Sequence, residues 1–299
     1  MAILFFELGG SLSSKVANRA SNMVEPARAN RLLLDTVTIR QASLDQKFRH
    51  AAQAGFHGLE LWADDIGLGP ADLAHVRDLA TTFGLSIDSI CPPVAWRRWH
   101  HDWDTALEAE IAGQLPRYAA LGARILITPV TSEDGTLADT AHALDRLAGL
   151  AAGHGLRIGL EPIGHVAKLA RLADAAALLR AQGDRDTIGL VLDAFHFYRG
   201  GNVLADLGQV DPQAILAVHV DDALDLPLDQ LLGYRHRVMP GDGIFDVAGL
   251  CAAIARRGFV GPYVVELLNE DYWQADPAEV SADAYRTAHR ELLRAGIQV

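Results

Sequence analysis

The chain alternates short apolar runs with amphipathic stretches eight times over, and this periodicity constrains its fold more than any other feature. The runs Leu32–Thr38, Gly58–Trp62, Leu85–Ile90, Arg124–Thr128, Leu156–Glu161, Ile188–Asp193, Ile215–His219 and Tyr263–Glu266 read as strands. Helical patterns fall near 43–54, 70–83, 104–121, 136–153, 169–182, 202–208, 246–257 and 278–295. Near-continuous apolar strands separated by helices belong to a parallel sheet covered on both faces. Ala54-Gly55, Phe83-Gly84, Leu121-Gly122 and Arg257-Gly258 each close a helical stretch with the glycine expected of a left-handed cap. The pattern predicts an α/β fold, a closed (β/α)8 TIM barrel. An open doubly wound sheet is the runner-up, but no glycine-rich phosphate loop follows the first strand.

A chain of 299 residues, 50% of them apolar, can bury a large core, and one such barrel commonly uses about 250 residues. Residues 31–299 are therefore expected to form a single barrel domain. Residues 1–30 stand outside the alternation, and their Ser, Asn and Ala content suggests an arm or extension used between subunits. A homo-oligomer is compatible with that arm. The net charge of −12 argues against a nucleic-acid partner, which needs clustered positive charge. The pairs Arg97-Arg98 and Arg256-Arg257 are too small to reverse that field. Cys91 and Cys251 give neither a disulfide framework nor zinc-finger spacing, so a reduced cytoplasm is the expected setting. The opening Ile3-Leu-Phe-Phe6 run is broken by Glu7 and lacks a basic lead, which makes it a poor signal peptide. No stretch is long and apolar enough to span a bilayer, and no membrane partner is expected.

Four of the apolar runs end on a residue that binds metals: Glu161, Asp193, His219 and Glu266. Such side chains are costly at the edge of a core unless something pairs with them. In a (β/α)8 barrel the C-terminal strand ends converge on one mouth, so four in phase imply one shared partner. Three carboxylates and an imidazole suit one divalent cation, Mn²⁺ first, with Mg²⁺, Co²⁺ or Zn²⁺ as alternatives. The rival reading makes each an unrelated polar residue at a loop.

Other residues gather near the same strand ends. His196 follows Asp193 by three residues, in the loop over the mouth, where one can bind metal while the other reaches substrate. Arg237 offers a planar fork to substrate oxygens, or pairs with Asp221 or Asp222 to fix its loop. Pro240-Gly-Asp-Gly243 reads as a tight turn and Asp246 as the N-cap of the next helix. Trp62 stands just past the second strand and is placed to line the pocket, and His165 enters the mouth four residues after Glu161. The loop with Trp96, Trp99 and Trp103 reads either as a lid that stacks on a sugar-like ring or as a subunit contact.

These residues resemble the xylose isomerase-like barrels, a family of sugar isomerases, epimerases and dehydratases, and within it the branch acting on inososes. The resemblance rests on Leu160-Glu161 with Gly164-His165 and on Gly189-Leu-Val-Leu-Asp193 followed by Phe195-His196-Phe197. His219-Val-Asp-Asp222, Arg237-Val with Pro240-Gly and Gly243, and Val265-Glu266-Leu267 complete it, and it covers roughly residues 32–299. It implies that Glu161, Asp193, His219 and Glu266 hold the metal, while His196 and Arg237 contact substrate. A DNA-repair endonuclease of the same superfamily carries three zinc ions and an extra Asp-x-His pair. Here those positions read Arg235-His-Arg237, so a single ion is expected.

The chemistry expected is a metal-dependent isomerisation or epimerisation of a keto-cyclitol (inosose) or related keto-sugar through an enediolate. Glu161 and Glu266 would double as base and acid on opposite faces of a ring, with His196 polarising the substrate oxygen. A dehydratase of an inosose or 3-dehydroshikimate-like substrate begins with the same proton abstraction, and a non-catalytic sugar-binding or partner subunit is the third reading. The substrate is expected to be a neutral polyhydroxylated ketone. There is no phosphate cradle, the net charge repels anions, and the lid tryptophans favour ring stacking.

Overall fold

A computed structural model describes residues 29–67, 69–183 and 186–299. All but the last two residues of the expected arm lie outside them. Eight parallel strands close into a barrel: β1 (Arg31–Asp35), β2 (Gly58–Trp62), β3 (Ser86–Cys91), β4 (Ile125–Val130), β5 (Arg157–Pro162), β6 (Ile188–Asp193), β7 (Ile215–His219) and β10 (Pro262–Val265). A two-stranded antiparallel pair, β8 (Asp222–Ala223) and β9 (Arg237–Val238), stands over the β7 end of the mouth. The helices are α1 (Leu44–Ala54), α2 (Pro70–Phe83), α3 (Thr105–Ala120), α4 (Leu137–Ala152), α5 (Leu172–Ala181), α6 (Ala194–Arg199), α7 (Val247–Arg256) and α8 (Pro277–Arg294). Around the ring the order is β1, β10, β7, β6, β5, β4, β3, β2. Among the described residues no helix is long and apolar enough to cross a membrane.

The strand alternation decides what enters the barrel. Leu33, Ile125, Ile127, Val191, Ala217 and Val264 form a small interior cluster, separate from the larger core between strands and helices. Gly159 shares this layer, because an added Cβ there would stand 2.7 Å from Val191 and 3.1 Å from Ile125. A strand repeats its face every second residue. One step further toward the mouth therefore stand Asp35, Pro129, Glu161, Asp193, His219 and Glu266. The polar layer of the site is thus the next storey of the hydrophobic barrel.

Two stretches differ from their sequence reading. The first strand stops at Asp35 rather than Thr38, because the Asp35 carboxylate accepts the Val37 N–H and starts a 3₁₀ turn over Thr36–Ile39. After β6 the chain enters α6 at once, since Asp193 caps it by accepting the His196 N–H at 2.7 Å. Gly201, at φ 72°, ends that turn, and the helix expected near 202–208 is a 3₁₀ segment, Leu204–Gln209. Gly55 and Gly84 take the left-handed caps anticipated for them. Asp246 caps α7 as expected, accepting the Gly249 N–H at 2.9 Å.

Candidate active site

The strand ends bring Glu161, Asp193, His219 and Glu266 together, one potential donor atom from each lying within 4.8 Å of all the others. His219 is fully enclosed. Its Nδ1 lies 3.4 Å from Glu266, and 3.7 Å from both Glu161 and Asp193, and neither this nitrogen nor Nε2 completes a hydrogen bond among the described residues. Its Nε2 lies 3.2 Å from Glu60 on β2. An imidazole with one nitrogen against a carboxylate and the other aimed at three more is arranged as a metal ligand with its outer-shell partner.

Electrostatics argue the same way. Asp35, Glu60, Glu161, Asp193, Asp221 and Glu266 are six buried carboxyl groups around this centre, and the buried guanidinium beside them is that of Arg237. Burial and the Glu266 charge push Glu161 well above the usual carboxylate range, and burial with Glu60 and Glu266 does the same to Asp35. Burial opposes ionisation of Asp193, but Arg237 and the neighbouring imidazoles together outweigh it and hold Asp193 below that range. For Glu60 the His219 ring likewise outweighs burial, aided by the Ser89 hydroxyl. Carboxyls raised by one another in a dry site are what a bound divalent cation relieves. The donor set therefore fits a divalent metal ion.

Arg237 is 3% exposed and its fork is committed. Nη1 donates to Asp193 at 2.7 Å, to Glu266 Oε2 at 2.8 Å and to Asp221, while Nε holds the Gly233 carbonyl at 3.0 Å. Of the two carboxylates considered for it, Asp221 is the partner. Asp222 instead accepts the backbone N–H groups of Ala223, Gly241, Gly243 and Phe245, which builds the tight turn. Nη2 of Arg237 lies 3.1 Å from His196 Nε2. A guanidinium only donates, so Nε2 accepts and the ring proton sits on Nδ1, which has no partner among the described residues. Burial, then the Arg237 charge against that of Asp193, push His196 down to about 3, and the ring is neutral at physiological pH.

A cavity of about 520 Å³ opens over this centre, and Glu161, His165, His196, Arg237, Glu266 and Trp62 line it. Trp62 is fixed by an Nε1 bond to Asp35 at 3.0 Å. Trp96 does not reach the cavity. It is buried against Tyr118 and donates to Glu110 on α3 at 2.8 Å. Trp99 donates to the Pro129 carbonyl, and Trp103 donates to Glu108 and lies under Arg146. Two indoles are committed to α3 and the third to β4, and none of them lines the cavity, so the expected stacking lid is not formed by them. Its neighbour Arg97 lines the cavity instead, as does Arg199.

Asp35, Glu60 and Cys91 escaped the sequence reading although they are buried beside Glu266, with which they form a second group of potential ligands. Their signal was the one used for the others, a carboxylate at or in an apolar strand: Leu32-Leu-Leu-Asp35 and Leu59-Glu60-Leu61.

Comparisons with known proteins agree with the barrel fold. The inosose isomerase of Bacillus subtilis (strain 168) is 29% identical over 184 residues, 60% of this chain and 66% of that protein, so the match spans slightly less than two thirds of the relative. The 3-dehydroshikimate dehydratase of Pseudomonas putida is 27% identical over 82% of this chain and 39% of its own length. The crystal structure of the IOLI protein with a bound zinc atom superposes with a TM-score of 0.76 at 22% identity, covering 88% of this chain and 98% of that one. Residues 48–291 match the family described as the xylose isomerase-like TIM barrel, and with its closed eight-stranded sheet and polar strand-end layer the chain belongs to that family.

Proposed function

We propose that the protein is a divalent-metal-dependent isomerase or epimerase of a polyhydroxylated ketone, a keto-cyclitol or keto-sugar. The observation that carries this reading is the convergence of Glu161, Asp193, His219 and Glu266 beneath the cavity, whose lining Glu161 and Glu266 reach. A divalent cation held by these four supplies Lewis acidity that makes a C–H beside a carbonyl easier to ionise. The oxygen-rich set favours Mn²⁺, with Mg²⁺, Co²⁺ and Zn²⁺ as alternatives.

The chain's own residues do the rest. Glu161 and Glu266 come from β5 and the end of β10, which are not neighbours in the ring. A ketone held between them meets one carboxylate at each of two carbons, so one removes a proton and the other returns it. The Nδ1–H of His196 donates to the substrate oxygen, and its tautomer is fixed by Arg237. Arg237 and Asp221 orient Asp193 and Glu266 rather than contacting substrate first. Trp62 and His165 wall the cavity. The reaction needs no nucleic-acid or membrane partner.

The similarity to a 3-dehydroshikimate dehydratase over 82% of the chain supports a second reading, a lyase that begins with the same proton abstraction and then expels water. Incubating metal-loaded protein with inososes and keto-sugars in D₂O, followed by NMR, separates them. Deuterium uptake without loss of water is the expected result. Uptake with dehydration would establish the lyase, and no uptake with any compound would reject both.

A further inference from the structure

The cavity wall is not electrically balanced. Its lining contains two carboxylates, Glu161 and Glu266, and both belong to the floor. Arg97 and Arg199 line the same cavity and, unlike the buried floor, keep solvent exposure, on the segments that follow β3 and β6. Carboxylates are abundant in a chain of net charge −12, and Arg31, Arg98, Arg146, Arg286, Arg290 and Arg294 are each paired with one. Arg97 is exposed and makes no hydrogen bond or ion pair among the described residues. Arg199 is half-buried and donates from Nε and Nη2 to the carbonyls of Leu231 and Asp229, at 3.3 and 3.2 Å. That grip ties down one wall of the cavity and leaves Nη1 without a partner among the described residues.

The sequence argument for a neutral substrate also loses the stacking lid on which it drew. Of the three tryptophans expected to stack on a neutral ring, Trp96 and Trp103 bond to α3 and Trp99 to the Pro129 carbonyl, none of them lining the cavity, and Arg237 is occupied by its own carboxylates. What the ligand meets at the opening is two guanidinium groups. A guanidinium presents paired donors that match a carboxylate or a phosphate, and it is worth most where part of its solvent is excluded.

We propose that the ketone substrate carries an anionic group, a carboxylate or a phosphate, which Arg97 and Arg199 bind at the opening while the ketone reaches the floor. This rests on the reading of the cavity as the active site of a ketone isomerase, and it names the substituent that selects the substrate. Arg97 and Arg199 are specificity determinants in this scheme, with no part in proton transfer.

Matched ketones test it: a neutral ketose, its phosphate ester and the corresponding keto-acid, compared by deuterium exchange with the metal-loaded protein. One of the two anionic compounds is expected to exceed the neutral one at least tenfold in kcat/KM, and the better of the two identifies carboxylate or phosphate. Arg97→Ala should shrink that ratio about tenfold through KM, the scale of one lost charged contact. Arg199→Gln should act in the same direction, and because it also frees the wall, Arg97→Ala is the cleaner variant. Exchange of the neutral compound equal to or better than both anions, with a ratio unchanged in Arg97→Ala, would overturn the proposal while leaving the isomerase reading intact. Exchange with no compound at all would instead reject the isomerase reading. Binding of inorganic phosphate and of malonate, read by tryptophan fluorescence, then decides the arginine site alone. Loss of binding in Arg97→Ala supports the site, and equal binding in wild type and variant rejects it.

Discussion

On one side of the barrel mouth, β5, β6, β7 and β10 lead into Glu161, Asp193, His219 and Glu266; on the other, β1, β2 and β3 carry Asp35, Glu60 and Cys91. Both sets stand in the same storey of the barrel, and both are buried. They differ in what surrounds them. The first set opens to the cavity through Glu161 and Glu266 and shares Arg237. In the second, Trp62 covers Asp35 and Ser89 and His219 hold Glu60, so that of the three Cys91 alone reaches the cavity lining, and no carboxylate of this side does. His219 joins the two, one ring nitrogen on each side. Position at a strand end therefore does not by itself make a residue reactive. Access to the cavity and a shared charge partner decide between a ligand and a group that orients one.

That contrast breaks first at the quartet. Asp193→Ala and His219→Ala are expected to lose bound metal and all measurable isotope exchange, checked by elemental analysis alongside NMR. Full metal occupancy in both would abolish the distinction between the two sides. Next, Glu161→Gln and Glu266→Gln keep a ligating oxygen and remove a base. Exchange should fall by roughly 10²- to 10⁴-fold with metal retained, and near-normal exchange in either would remove that residue from proton transfer.

Glu60→Gln probes the enclosed side. Weakening the outer-shell hold on His219 is expected to lower metal affinity by about 10- to 100-fold, read by titration against a chelator. Affinity as low as in His219→Ala would instead make Glu60 a ligand.

Smaller effects follow in the segment after β3. Burial, then the charges of Lys168 and His101, push His100 down to about 4. As pH falls from about 6.5 toward 4, the unfolded chain takes up a proton that the folded one refuses. Stability should drop by up to about 1.4 kcal/mol per pH unit from this group. Denaturant unfolding of His100→Gln should show a flatter acid limb, and an unchanged limb would reject the assignment. Trp96→Phe removes one hydrogen bond and is expected to cost about 1 kcal/mol of stability, with kcat/KM within twofold. A large loss of kcat/KM at equal stability would return Trp96 to the substrate wall.

Much of this was legible before any coordinates. The strands Gly58–Trp62, Ile188–Asp193 and Ile215–His219 keep the bounds their apolar runs suggest, because a strand buried on both faces has little choice of composition. Glu161, Asp193, His219 and Glu266 stood out because each ends such a run abruptly. Asp35 did not, since the apolar character of Val37 and Ile39 continues past it into a 3₁₀ turn that only its own side chain initiates. The pairing of Arg237 with Asp221 rather than Asp222 was undecidable from spacing, as the two carboxylates are adjacent in the chain and point to different partners.

The sequence by itself determined the alternation, hence the barrel, and the polar residue that closes the apolar run of β5, β6, β7 and β10. These follow from local periodicity and from the cost of placing a charge at the edge of an apolar run. Only the tertiary structure decided which strand ends bring their carboxylates and imidazole together, that Arg237 is spent on carboxylates, and that Arg97 rather than Trp96 faces the cavity. Each of those depends on groups distant in the chain competing for one partner in a confined volume, and no local pattern records the outcome of that competition.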